Sequence, residues 1–490
     1  MPAVNSSLRR ALRTDLTAST VVFLVALPLC VGVAVASGVP AELGLITGIV
    51  GGLVVGLLPG SSLQVSGPAA GLTVLVAEAV DTYGLPALGV IVLGAGLLQL
   101  LLGALKLGRW FRAISVAVVE GMLAGIGLVI IAGQLYAMAD TPAPASGLGK
   151  IAGLPGLAAG LVTSAPAATA FAVGAGTIAV IALWSTMPAR VRVVPGALAA
   201  VALASAATAL LDLPVAKIDV QGVLEAVQSP GPAQFGQLAN AGFLATIVAF
   251  ALIASAETLF CAAAVDRLHD GPRTDYNKEL LAQGVGNTLC GLLGALPMTG
   301  VIMRSAANVH AGAKTKLSRV LHGVWLLLFA ALLPAVLGLM PVAALAGVLI
   351  HAGFKLLPVK KLVPLWRTHR GEAVILAVTA LAIVSVSMFE GVLIGLALAV
   401  VKCAWETSHI HVEVDDRGDG PVRVAITGNA TFLRLPKMLD TLESLPTDRP
   451  IELNLAGLRH LDHAFRTALA TWTERHNSGS AEPVRLIHSG

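Results

Sequence analysis

Ser61–Val80 reads SSLQVSGPAAGLTVLVAEAV, a segment that begins polar and continues apolar. We interpret Ser61–Ser66 as a short extended piece and Gly67-Pro68 as the opening of a helix, because Pro is tolerated in the first helical turn. The apolar part, Gly67–Val80, is short beside the roughly 20 residues that a bilayer-spanning helix needs. This pattern is typical of an interrupted membrane helix.

A second segment repeats the pattern in the later part of the chain. Pro297–Gly300 (PMTG) precedes the short apolar stretch Val301–Asn308, as Ser61–Ser66 precedes its own helix. Interrupted segments at matching places in two halves are the sequence pattern of an inverted-repeat transporter. We therefore predict a polytopic α-helical membrane protein with two repeats of seven transmembrane segments.

The composition supports a membrane location for the rest of the chain. Of the 490 residues, 56% are apolar and only 12% are charged, whereas an ordinary soluble domain has about 25% charged residues. Fourteen apolar runs can be counted, at 15–37, 42–58, 67–80, 84–105, 111–136, 167–187, 193–212, 242–265, 279–295, 300–312, 318–338, 341–357, 371–387 and 389–406. The interrupted segments are the third and the tenth of these runs, seven passes apart.

The basic residues are unevenly distributed between the connections. With a cytoplasmic amino terminus (1–14), the predicted cytoplasmic connections carry most of the Lys and Arg of the membrane region 15–406, and the opposite connections offer little beyond Lys150 and Lys217. This is the positive-inside pattern. It predicts a multi-pass protein of the plasma (inner) membrane with both termini in the cytoplasm.

The composition changes abruptly after Trp405. Strand-like stretches alternate with helical ones, and they lie at Val422–Thr427, Leu435–Leu445, Ile451–Leu455, Asp462–His476 and Val484–Ile487. Such alternation is typical of a small α/β domain. We predict that 407–490 form this domain in the cytoplasm.

Two half-helices whose N-termini meet at the membrane midplane would form an anion site without bulky charge. Free backbone N–H groups and the positive ends of both helix dipoles would face the same volume. The ends predicted here are Gly67–Ala70 and Gly300–Met303. The alternative is that Gly and Pro only kink two ordinary spanning helices, which is common.

Charged and polar side chains near these ends are the candidate functional residues. Arg304 would cost at least ~2.5 kcal/mol at membrane depth. Its guanidinium could contact an oxyanion or lend the site positive potential, and the alternative is that it snorkels or pairs structurally with an acid. Glu257 inside the eighth pass could bind a proton or a cation, or it could offset Arg304. Ser66, Thr299, Ser305 and Asn308 add polar groups, and we interpret Gln283 and Asn287 as residues that bridge helices.

The sequence contains no pattern typical of an enzyme. The histidines are scattered without metal-ligand spacing, and no nucleophile elbow or phosphate-binding loop is present. The four cysteines lie singly in or beside apolar segments. We expect no catalytic residues, no cofactor, no metal and no nucleic-acid partner.

Several of these stretches together resemble the sulfate permease (SulP) family of anion transporters. Pro28–Gly51 (PLCVGVAVASGVPAELGLITGIVG) is similar to the first-to-second helix signature of that family, and Ser66-Gly67-Pro68 to its third-helix start. Glu257–Ser318 is the most specific match. The likeness covers roughly residues 10–405, and the tail resembles the STAS domain that usually follows.

The resemblance implies a core domain and a gate domain, an elevator-like movement and a homodimer. It implies that an inorganic anion binds between helices three and ten and is carried across the lipid bilayer by proton or sodium symport or by exchange. The implied coupling residues are Glu257 and Cys261. The substrate-binding residues expected from the resemblance and the helix ends are Ser66, Gly67, Pro68, Ala69, Gly300, Val301, Met303, Arg304 and Ser305.

The chain departs from the family pattern at several positions. Met303 and Leu29 stand where many members have Ser and Gln, which predicts a less polar pocket. Cys261 stands where sodium-coupled bicarbonate members have Thr, and a thiol is a poor ligand for a hard cation. Asp462-His463-Ala464 lacks the phosphorylatable residue of STAS domains, and because the sequence stops at Gly490, we expect their usual final helix to be absent. Pro297–Val309 (PMTGVIMRSAANV) and Leu321-His322-Gly323 resemble bacterial members that are often linked with carbonic anhydrase, which favours bicarbonate over sulfate.

Two alternative functions remain open from the sequence. Nucleobase carriers share this architecture, but they generally place a carboxylate near the start of helix ten, where this chain has Arg304. A channel-like or signalling membrane protein that uses the tail as its output is the other alternative. Glu257 argues against a pure channel, because a buried carboxyl group fits a cycle that includes protonation.

Overall fold

The computed structural model describes residues 2–109, 115–188, 190–192, 194–220, 222–223, 225–418, 420–479 and 482–487, with only the backbone described for 2–11 and 479. Residues 1 and 488–490 of the predicted domains lie outside this description. The chain divides into two compact units, one extending to Gly395 and the other beginning at Leu396.

The first unit is helical and contains two short strands. Its elements are α1 (Pro2–Ala36), α2 (Ala41–Val50), β1 (Ser66–Pro68), α3 (Thr73–Tyr83), α4 (Leu85–Ala104), α5 (Val116–Met138), α6 (Gly147–Ala152), α7 (Leu154–Thr163), α8 (Ala165–Trp184), α9 (Gly196–Leu210), α10 (Pro232–Phe235), α11 (Ala241–Val265), α12 (Tyr276–Leu292), β2 (Met298–Gly300), α13 (Ile302–His310), α14 (Leu317–Leu332), α15 (Pro334–Leu337), α16 (Val342–Leu356), α17 (Val359–Thr368), α18 (Arg370–Ser385) and α19 (Met388–Thr407), the last of which continues into the second unit. A π-helical turn, Gly51–Val55, continues α2.

Seven helical stretches in the described part of the chain are long and apolar enough to cross a membrane, and shorter apolar helices lie between them. This agrees with the helical membrane protein predicted from the composition. The fourteen-pass count and the inverted repeat remain predictions. The short connecting helices α6, α7 and α17 were not predicted, since they lie between the apolar runs.

The two interrupted segments meet in a buried strand pair of the first unit. β1 leads through a 3-10 turn, Ala70–Leu72, into α3, and β2 leads into α13. The strands pair antiparallel, with Ser66 opposite Gly300 and Pro68 opposite Met298. Backbone polar groups at membrane depth must find partners within the protein, so each strand supplies the other's partners.

The strand pair corrects one detail of the prediction. Gly67 and Pro68 were predicted to open a helix, but both lie in β1, and the 3-10 turn starts only at Ala70. On the other side, α13 starts at Ile302, after the strand residue Gly300. The pairing of the two strands keeps these residues extended and moves the helix ends along the chain.

The second unit contains a five-stranded sheet and two helices. Its elements after α19 are β3 (Ile410–Asp415), β4 (Val422–Ala430), α20 (Leu435–Glu443), β5 (Ile451–Asn454), β6 (Leu458–Leu461), α21 (His463–Gly479) and β7 (Arg485–Ile487). β3 pairs antiparallel with β4, which pairs parallel with β5 and β6, and β5 pairs parallel with β7. This agrees with the predicted α/β character. β6 was not predicted because Arg459 and His460 at its centre are polar and exposed.

Candidate functional site

The strand pair brings the N-termini of two helices to one place. Val301 N donates to Val65 O over 2.9 Å, which extends the contact between the segments. The first hydrogen bonds of the helical turns run from Leu72 N to Ala69 O and from Ser305 N to Val301 O. The N–H groups of Ala70, Gly71, Ile302, Met303 and Arg304 precede these bonds and have no acceptor among the described residues. Such groups at helix N-termini are suited to bind an anion.

A buried network on α12 holds β1. The Ser66 hydroxyl accepts from Gln283 Nε2 over 2.6 Å, and Gln283 also donates to Glu279 Oε1 over 2.9 Å. Glu279 further accepts from Gln64 Nε2 over 3.2 Å and from Ser61 N over 2.7 Å. The side chain of Ser66 is therefore engaged with α12.

A second buried contact holds β2. Asn287 accepts from Met298 N over 2.7 Å and donates to Met298 O over 3.1 Å, as a neighbouring strand would. Its amide also donates to Gln99 Oε1 over 2.7 Å. From α11, the Thr258 hydroxyl accepts from Gly300 N over 3.1 Å. The interpretation of Asn287 and Gln283 as helix-bridging residues agrees with these contacts.

Replacing Asn287 with Leu should destabilise the membrane unit. The change keeps a similar volume but leaves Met298 N–H and C=O buried without partners, at a cost of about 1–3 kcal/mol. We expect a lower thermal unfolding temperature in detergent. Asn277 on the same helix is the matched control, because it accepts one hydrogen bond from Gly108 N at a half-buried position where water can replace it. Equal losses in Asn287→Leu and Asn277→Leu would contradict the role of Asn287.

Arg304 is completely buried behind β1. Its Nη2 donates to Pro68 O over 3.3 Å, and its Nη1 fills the space beside Gly67, where a Cβ atom would collide with it. The thiol of Cys30 on α1 also lies within interaction distance. The guanidinium therefore contacts the strand from the side of α1 and lends positive potential through it.

We call the buried side chains that hold β1 and β2 in place the frame, and they include Gln64, Ser66, Gln99, Thr258, Glu279, Gln283, Asn287 and Arg304. Ser305 and Cys261 also belong to it. The Ser305 hydroxyl donates to Val301 O over 2.7 Å and accepts from Val65 N over 2.9 Å, so its one proton is already used. Cys261 Sγ on α11 lies 3.8 Å from the Ser305 hydroxyl. Both side chains join α11, α13 and the segment before β1.

Glu257 lies at the N-terminal end of α3. A Cβ atom on Gly71 would lie 2.8 Å from Glu257 Cδ and Oε2, so the carboxyl group occupies the space that the glycine leaves. No ion pair joins Glu257 to Arg304 in the part of the chain that the structure describes. Glu257 therefore faces the end of α3 whose N–H groups are free.

The predicted site residues fall into two groups. Ser66, Arg304 and Ser305 direct their side chains into the frame, as described above. The second group lies at the strand ends and first helical turns, where only the backbone offers polar groups. Its members are Gly67, Pro68, Ala69, Gly300, Val301 and Met303. The frame residues Glu279, Gln64 and Gln99 were missed, although Glu279, Gln283 and Asn287 share one face of α12 at spacings of four, a pattern that could have indicated them.

Comparison with known sequences gives consistent matches. The family model described as Sulfate permease family matches residues 12–379. YvdB of Bacillus subtilis, which is named as a sulfate transporter, is 30% identical over 394 residues, which are 79% of this chain and 72% of that protein. The bicarbonate transporter BicA of Picosynechococcus is 27% identical over 70% of this chain and 62% of its own length.

Solved structures agree in fold. The transmembrane domain of a cyanobacterial bicarbonate transporter, BicA, matches with a TM-score of 0.67 and 24% identity, over 80% of this chain and 98% of that one. The murine anion transporter Slc26a9 in its inward-facing state matches with a TM-score of 0.77 and 15% identity, over 97% of this chain and 85% of that one. The helical unit of this chain therefore has a fold that is also seen in these solved structures.

Proposed function

The chain belongs to the sulfate permease family of anion transporters, and on that basis we propose that it is a secondary active carrier of a small inorganic anion of the sulfate or bicarbonate class. The observation that supports this most directly is the pair of half-helices α3 and α13, which the β1–β2 pairing joins at their N-termini. The five free N–H groups named above and the positive ends of two helix dipoles give the space at these N-termini a positive electrostatic potential. Among the described residues, no cationic side chain needs to face that space for this effect.

We propose Glu257 as the coupling residue. An ionised Glu257 and a bound anion would repel each other at the same end of α3, so binding a cation to Glu257 would favour the anion. Cys261, the position implied as a second cation ligand, is a thiol in contact with Ser305. Since a thiol is a poor sodium ligand, a proton is the cation that these side chains favour.

Within this class we propose bicarbonate as the preferred anion. Ala69, Val301 and Met303 stand beside the free N–H groups, and all three are apolar. Arg304 supplies its positive charge from behind β1. Such surroundings suit one negative charge better than the two charges of sulfate. The relatives carry both substrate names, sulfate for YvdB and bicarbonate for BicA.

We further propose an elevator-type cycle in a homodimer of the plasma membrane, with both termini in the cytoplasm. The uneven distribution of Lys and Arg supports this orientation. The elevator cycle and the dimer follow the family resemblance.

Uptake into proteoliposomes tests the proposed function. Labelled bicarbonate and sulfate would be offered separately under an imposed proton gradient, an imposed sodium gradient or none. We expect saturable initial uptake of bicarbonate above that of protein-free liposomes, which take up label as CO2, and we expect the proton gradient to accelerate this protein-dependent uptake. Correctly inserted protein that accumulates neither anion would contradict the proposal, and flux that never saturates would favour a channel.

A further inference from the structure

A second feature of the membrane unit is a cavity of about 790 Å³ beside α3. It lies between the end of α1, one face of α3, the second half of α5, the segment 141–150 and the connection from α18 to α19. Of the residues that line it, Thr73 in the first turn of α3 is buried and marks its deep end, whereas Asp81 and Thr82 are exposed and mark its rim. The cavity therefore follows α3 from the candidate anion site to the membrane face where α3 ends, which the predicted topology places outside the cell.

Thr73 gives the deep end of this cavity an unused polar group. Its side chain is only 5% exposed, and its hydroxyl has no hydrogen-bond partner among the described residues. Buried hydroxyl groups nearly always have a partner, because leaving one unpaired costs free energy. Thr73 follows Ala70 and Gly71, whose N–H groups are free. A ligand that accepts hydrogen bonds would satisfy the hydroxyl and these N–H groups together.

Charged side chains line the outer part of the cavity. Glu78 lies about 7.5 Å further along α3 than Thr73, at 1.5 Å per residue. Lys150 of α6 extends along Gly133 of α5, its Nζ being 3.9 Å from the position that a Gly133 Cβ would take. The Tyr136 hydroxyl donates to Lys150 O over 2.8 Å and fixes the backbone. Burial lowers the pKa of the Lys150 ammonium, and the nearby Glu78 carboxylate opposes this shift by raising it.

We propose that this cavity is the outer access route of the transported anion, with Lys150 as the first contact and Thr73 as the deep contact. The proposal rests on the proposed anion transport and adds the residues that select the anion before it reaches the half-helices. Lys150 and Glu78 line the same cavity without a direct ion pair among the described residues, and Glu78 is close enough to attract the ammonium group electrostatically. An arriving anion competes with Glu78 for the ammonium group, and it then passes along α3 to the Thr73 hydroxyl.

Charge balance explains why both residues are needed. A lone ammonium group in a half-buried cavity would hold an anion too firmly for release, whereas a lone carboxylate would repel it. Glu390 also lies close enough to interact with Glu78, and Asp81 lines the rim. The acidic side chains thus make Lys150 the group that determines whether an anion is admitted.

Uptake kinetics of the full chain test the first contact. Lys150→Gln should raise the KM for the transported anion about tenfold, with maximal rate within about twofold, and Lys150→Arg should restore the KM. Glu78→Gln should lower the KM, because the competing charge is removed. If the wild type transports the anion and Lys150→Gln has the same KM, then Lys150 is not the first contact of the anion.

Chemical labelling tests the route without relying on transport. Thr73→Cys, made in a Cys403→Ser background that removes the exposed native thiol, should react with a membrane-impermeant methanethiosulfonate on intact cells, and bicarbonate should slow the reaction. Thr73→Val keeps the volume of the side chain but removes the hydroxyl, whereas Thr73→Ser keeps the hydroxyl. Only Thr73→Val should therefore raise the KM. If the wild type moves neither anion, the proposed function fails. If neither bicarbonate nor sulfate protects the thiol of the Thr73→Cys variant, the route is overturned.

Discussion

Proteoliposomes that contain the Glu257→Gln variant should lose accumulation driven by a proton gradient. Gln keeps the shape of the side chain beside Gly71 but binds no proton in the working range and carries no charge that repels the anion. For one proton per anion in an electroneutral cycle, a gradient of two pH units supports up to ~100-fold accumulation, since each unit is a factor of ten. Because CO2 crosses lipid and re-forms bicarbonate in the more alkaline compartment, accumulation is measured relative to protein-free liposomes, and the variant should not exceed that background.

Anion binding should survive the same substitution. Because Glu257 faces the N-terminus of α3, its neutralisation should leave the affinity for the anion unchanged or higher. Glu406→Gln is the control, since Glu406 is exposed and forms an i,i+4 pair with Lys402. A Glu257→Gln protein that accumulates anion as the wild type does, under both proton and sodium gradients, would remove Glu257 from the coupling mechanism.

The Gly51→Ala variant should lose most of its transport activity although the change adds one methyl group. A Cβ atom at this position would lie 2.5 Å from Ser66 O and 2.8 Å from Ser66 C, and both are backbone atoms that cannot rotate away. The added volume should cost about 1–3 kcal/mol of stability. The larger effect is on β1, whose displacement moves the ends of both half-helices. A shift of about 1 Å in a binding geometry can cost ~100-fold in rate.

Gly176→Ala provides the matched control for this substitution. Gly176 lies inside α8, and a Cβ atom there would meet nothing within 4 Å. Since Ala is favoured over Gly in helices by up to about 1 kcal/mol, this variant should be at least as stable as the wild type and fully active. The measurements are initial uptake rates at equal amounts of inserted protein. Full activity in Gly51→Ala would show that the position of β1 does not determine the site.

The helices of the membrane unit could be predicted because apolar length is a local property. The interrupted segments at Ser61–Val80 and Pro297–Gly312 were also visible, since Gly, Pro and polar residues change the local pattern. The pairing of β1 with β2 was not visible. Strands of three residues have no readable alternation, and their partner lies on a distant part of the chain. The helix ends were therefore placed too early.

The sequence places Arg304 and Ser305 beside the second interrupted segment, and their part in binding an anion stays a prediction. It could not show that their side chains point into the frame, because that depends on α1, α11 and β1 together. Neither Thr73 nor Lys150 was predicted as a site residue, since a Thr in an apolar helix and a Lys in a connection are ordinary by themselves. Only the fold places them on one cavity.

The β1–β2 ladder also constrains how the protein is made. The residues that flank it, Val65 and Ser305, are 240 positions apart, so the first strand is synthesised long before its partner. At about 5–20 residues per second, the ribosome needs roughly 10–50 s to supply the second strand. During that time the backbone of β1 has no final hydrogen-bond partner, and a nascent chain that ends before Met298 cannot complete it. Until β2 is made, the backbone of β1 must therefore stay near the membrane–water interface or be bound by another protein. Biogenesis should be most sensitive to ribosome stalling between the synthesis of β1 and that of β2.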